Sequence, residues 1–93
     1  MVVGVCTVEL YLPDGHSLKS KRQILSSLKA RLNNKFNISI AEVGEQDLWQ
    51  KSTLGIACVA NEAGYVNAVL DQVLNAIRSY PTLELLQSRI ELL

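Results

Sequence analysis

Ninety-three residues leave room for one domain with one core. A hydrophobic share of 48% beside 19% charged residues excludes a chain disordered by composition, and no apolar run nears the roughly 20 residues of a membrane-spanning helix. Nine Lys and Arg against nine Asp and Glu give a formal net charge of zero, so the chain as a whole is neither a basic nor an acidic binder.

Residues 2–12 are apolar and β-branched, punctuated by Thr7, Glu9 and Tyr11, and predict a first strand. The opening Met1-Val2-Val3-Gly4-Val5-Cys6 lacks the positive n-region of a secretory signal and Glu9 soon interrupts it, so a strand that starts at once, in a cytoplasmic protein, is expected. Pro13-Asp14-Gly15 predicts a turn, and Ser17 offers an N-cap hydroxyl. Leu18, Leu25, Leu28 and Leu32 then keep helical spacing to about Asn34. Over 37–43, Ile38 and Ile40 alternate with Asn37, Ser39 and Ala41, as in a second strand. A polar stretch over 44–51, apolar only at Leu48 and Trp49, connects it to a third strand over 53–60, with Leu54, Ile56 and Cys58 on one face. Asn61-Glu62 caps a second helix and places a negative charge at its start. Val66, Val69, Leu70, Val73, Leu74 and Ile77 form that helix's buried stripe, and Pro81 stops it. Residues 83–92 complete the set as a fourth strand.

Strand–helix–strand–strand–helix–strand folds most simply as a ferredoxin-like βαββαβ plait over residues 1–93, a four-stranded antiparallel sheet with both helices on one face. Right-handed crossovers put the first and third strands in the middle. Alternation then turns Val2, Cys6, Val8 and Leu10 under the helices. Val3, Val5, Thr7, Glu9 and Tyr11 face outward, with Gly55, Ala57 and Val59 beside them. Such a face is apolar at its centre, and a homodimer through Val3, Val5, Ala57 and Val59 is the expected way to cover it.

Chemistry of the usual kinds finds no support. His16 is the only histidine, with no nucleophile and acid placed around it. Cys6 and Cys58 lie far apart outside any CxxC, and read as reduced core residues rather than a disulfide or a zinc site. No glycine-rich phosphate loop is present, and Glu42, Glu45 and Asp47 read as a solvated hairpin connection. No enzyme, no metal and no cofactor are expected. Base stacking on the central strands, as in an RNA-recognition motif, is disfavoured because the outward positions are Val, Thr, Gly and Ala.

Charge segregation is the strongest signal. Residues 16–36 contain Lys19, Lys21, Arg22, Lys29, Arg31 and Lys35 and no acid, whereas the rest of the chain carries three cations and all nine acids. At 100° per residue Lys21 falls on the buried line of Leu25, Leu28 and Leu32. Lys19, Arg22 and Lys29 share a flank. Two readings stand: Lys21 snorkels and pairs with a carboxylate while its neighbours solubilise the helix, or Lys19, Lys21, Arg22 and Lys29 bind an anion, most simply a nucleic-acid phosphate, at the helix start. Trp49, in Gln46-Asp47-Leu48-Trp49-Gln50-Lys51, either closes one end of the core or anchors a partner or a base.

Ser17-Leu18-Lys19 with Lys21-Arg22, then Ala41-Glu42-Val43, then Gln46-Asp47-Leu48-Trp49-Gln50 resemble the signature of small bacterial YlxP-like proteins, a domain of unknown function. The similarity extends over the chain in length and element order. The resemblance implies a ferredoxin-like fold and a role near ribosomal RNA or a ribosomal subunit, because the genes of such proteins neighbour translation-initiation and ribosome-maturation genes and some are labelled ribosome-binding factors. It makes Lys19, Lys21, Arg22, Asp47 and Trp49 the matched positions and carries over no catalytic residue. The expectation is therefore a cytoplasmic RNA- or ribosome-binding accessory factor acting through the basic helix. The alternatives are a protein-interaction or scaffold module using the apolar sheet face, with Asp47 and Trp49 as partner contacts, and a small-anion sensor.

Overall fold

The first ten-residue apolar segment sits at the middle of the molecule because it has the most apolar side chains to bury on one face. The computed structural model describes residues 1–93, in the order β1 (Val2–Tyr11), α1 (Leu18–Lys35), β2 (Ser39–Gly44), β3 (Lys51–Ala60), α2 (Ala63–Arg78) and β4 (Glu84–Leu92). The strands form one antiparallel sheet in the order β2-β3-β1-β4, the ferredoxin-like plait. β1 and β3 pair from Val2 with Ala60 to Tyr11 with Lys51. That full pairing extends β3 two residues further back than the alternation of 53–60 predicts. β2 starts later than predicted, and Ile38 packs against the core from just outside it.

The two helices begin differently. Ser17 caps α1, its Oγ accepting from Ser20 N at 3.0 Å. Phe36 closes the other end with its N–H donating to Leu32 O at 2.8 Å. Glu62 occupies the N-cap position of α2 but its side chain makes no capping bond, so its charge acts only through the helix dipole.

The inward residues of β1 and β3 (Cys6, Val8, Leu10, Leu54, Ile56 and Cys58) meet Leu25, Leu28 and Leu32 of α1 and Val66, Leu70, Val73, Leu74 and Ile77 of α2 in one core. Both cysteines are buried and unpaired. Gly4 lets α2 approach β1, since a Cβ there would stand 2.3 Å from Val66 Cγ1 and 2.9 Å from Leu70 Cδ1. No helix is long and apolar enough to cross a membrane.

On the open face Val3, Val5 and Ala57 are half-buried by their neighbours and Val59 is 55% exposed. Val43 lies over Gly55, and together with Val5, Thr7, Ala41 and Ala57 lines a shallow hollow of about 310 Å³. The β4 flank of the same face is polar, with Glu91 opposite Val5, Arg89 opposite Thr7 and Gln87 opposite Glu9. The apolar patch is thus confined to the β1, β3 and β2 half of the sheet.

Candidate functional site

One end of the molecule collects the features that the sequence singles out. The end of β1, the start of α1 and the β2–β3 connection all lie there by topology. Lys21 joins two of them. Its Nζ is 2.7 Å from Glu42 Oε2 and donates to the Glu45 carbonyl at 2.6 Å, while Ser52 Oγ donates to the same Glu42 oxygen at 2.8 Å. Glu45 reaches this position through a left-handed backbone, φ 62°. Lys21 is 1% exposed. Of the four cations expected to bind an anion, Lys21 therefore has to be withdrawn: its stem lies in the core and its charge is already satisfied.

The others stay outside. Lys19 and Arg22 are exposed and Lys29 half-exposed. Neither these three nor Arg31 and Lys35 make an ion pair; the two pairs in the structure are Lys21–Glu42 and Arg89–Glu91. Arg31 stacks over Tyr80, 5.4 Å from the ring centre, and Tyr80 Oη–H reaches Ser27 Oγ at 2.7 Å, which ties the helices together at the surface. Lys19 and Arg22 border a broad open face with Gln23, Ser26, Ser27 and Ala30. The result is a helix with no acid of its own, with Lys19, Arg22 and Lys29 along one flank, Arg31 on the other beside Tyr80, and Lys35 at its C-terminal end.

Trp49 does not close the core. It is 53% exposed, and Leu48 beside it is exposed as well. Its main chain is nevertheless held. The Gln50 carbonyl accepts from Leu12 N at 2.8 Å, Gln50 Nε2 donates to Pro13 O at 3.4 Å, and a Cβ on Gly15 would stand 2.4 Å from Trp49 O. Trp49 and Leu48 share a hollow of about 420 Å³ with Tyr11, Asp47, Gln50 and Lys51. Tyr11 and Lys51 are directly paired across β1 and β3. The sequence groups Asp47 and Trp49 in one segment but does not join Tyr11 and Lys51 to it, because that depends on a strand register between residues forty positions apart.

The family model described as a protein of unknown function (DUF503) matches residues 3–90. "Uncharacterized protein YlxP" of Bacillus subtilis (strain 168) is 39% identical over 90 residues, covering 97% of this chain and 98% of the relative. Among solved structures, the de novo designed protein Foldit4 aligns over 100% of this chain and 94% of its own, with a TM-score of 0.51 at 9% identity. A second de novo design, described as having a ferredoxin fold, covers 100% of this chain and 84% of its own at a TM-score of 0.49 and 12% identity.

Proposed function

This chain belongs to the DUF503 family of proteins of unknown function, and from that premise we propose that it is a cytoplasmic, non-enzymatic accessory factor that binds RNA, in the setting of the ribosome, through the outer surface of α1. The carrying observation is that Lys19, Arg22, Lys29, Arg31 and Lys35 stand on one helix without a carboxylate partner. An evenly solubilised surface would intersperse acids, and residues 16–36 have none. The resemblance to YlxP-like proteins supports ribosomal RNA as the polyanion.

Co-sedimentation with ribosomal subunits at two salt concentrations tests this. With about three phosphates neutralised, log affinity falls against log salt with a slope of roughly −2 to −3. Lys19→Glu with Arg22→Glu lowers the slope and releases the protein. Binding indifferent to salt and to both substitutions refutes the reading.

A second reading has its own support. The patch of Val3, Val5, Ala57 and Val59 carries no charge and continues into Val43. A second copy of the chain fits it, because the surrounding Glu9, Arg89 and Glu91 supply both signs for a two-fold contact. Sedimentation as a monomer at micromolar concentration, by analytical ultracentrifugation, counts against the dimer.

A further inference from the structure

The geometry points to a second contact, with a base: the Tyr11–Trp49 hollow takes one unpaired base of a single-stranded RNA, stacked against the aromatics, with Lys51 meeting the adjacent phosphate. This rests on the RNA reading and extends it from the helix to the end of the sheet.

An exposed tryptophan on a mobile loop would mean little. Here the main chain at Trp49 is held from both sides, through Leu12 N to Gln50 O at 2.8 Å and through the close passage of Gly15. The Lys21–Glu45 bond at 2.6 Å holds the other arm of the same connection. The side chain stays out in water although the segment is ordered, so the ordering serves the surface and not the core. A main chain held in advance favours stacking, since the entropy of ordering the segment that carries the ring is already spent before a base arrives. The polar lining also discriminates between occupants. An aliphatic side chain of a protein partner would desolvate Asp47, Gln50 and Lys51 without pairing them. A nucleotide has an edge for the carboxylate and amide, and a phosphate for the ammonium. The hollow, about 420 Å³, has room for an extruded base.

The single tryptophan makes the test direct. A short single-stranded oligoribonucleotide is titrated into the full-length protein while Trp49 emission and affinity are both followed. Stacking quenches the emission. Trp49→Leu weakens binding about tenfold or more, Trp49→Phe restores most of it, and Tyr11→Leu weakens it in the same sense. Thermal melts that match the wild type for each variant separate this from misfolding. Two outcomes overturn the inference in different ways. If the oligonucleotide binds, is released by Lys19→Glu with Arg22→Glu, and leaves Trp49 emission and Trp49→Leu affinity unchanged, the base site is wrong and the helix reading stands. If neither the oligonucleotide nor a ribosomal subunit binds the wild type, both fall together.

Discussion

Lys21 shows how helical spacing can place a residue while leaving its role open between two readings: it pairs with a carboxylate beside the core and does not face an anion. Its ammonium is buried with Glu42 and the Glu45 carbonyl, and Glu42 keeps only 22% of its side-chain exposure. Lys21→Met retains the stem and leaves Glu42 with a carboxylate that has lost its cation. A loss of about 2–4 kcal/mol in urea unfolding is expected, toward the lower end because Glu42 still meets some water. Adding Glu42→Leu to Lys21→Met recovers much of that loss, since no charge is then stranded. Gly4→Ala destabilises by about 1–3 kcal/mol, because the branched Val66 side chain packed over it has little freedom to move; a melting curve measures it. Cys6 gives a pH dependence. Burial first, and then the negative charge of Asp71, push its thiol above the ordinary 9.0. The unfolded thiol ionises before the folded one, so this contribution is intact below about pH 9 and is lost as pH rises through the folded value. Stability of the wild type therefore falls more steeply above pH 9 than that of Cys6→Ala, in paired denaturation series.

At the scale of elements, helical spacing already put Lys21 on the line of Leu25, Leu28 and Leu32, and Lys19, Arg22 and Lys29 on a flank. The structure agrees with each placement. Those positions follow from a local period, which any sequence carries with it. The fate of Trp49 does not. It hangs on a left-handed Glu45, on Gly15 passing beneath a carbonyl, and on the β1–β3 register that sets Tyr11 beside Lys51. Each is a contact between segments remote in sequence, with no periodic trace. The same logic applies to the start of β4: Gln87, Arg89 and Glu91 follow simple alternation, but a shift between Glu9 and Leu10 resets the pairing so that Leu85, and not Leu86, stands opposite Leu10. At this scale Gly15→Ala is the informative change. It must push the Trp49 carbonyl away, so it costs stability and also shifts Trp49 emission, whereas Gly64→Ala, with open space around its Cβ position, does neither.

For the whole molecule, the sheet divides the available surfaces by chemistry. The helix layer carries unpaired cations, the open face carries an apolar half and a polar flank, and one pole carries the aromatics. In the two readings proposed above, a polyanion on the helix layer and a second copy on the apolar half of the open face occupy separate surfaces. Ribosomal co-sedimentation should therefore survive Val5→Lys, which breaks the apolar patch and shifts the sedimentation coefficient toward the monomer.

Just past β4 the chain still pairs with the start of β1, with Leu93 N–H donating to Val3 O at 2.8 Å. Residues 1 and 93 thus sit together at the pole opposite Trp49. A short linker can join them, and new ends can be opened between Asp47 and Leu48 without cutting any strand or helix. Such a circular permutant keeps the plait and its outer helix while releasing the segment that fixes the tryptophan. It separates the work of the charged layer from that of the aromatic pole in one molecule of unchanged composition.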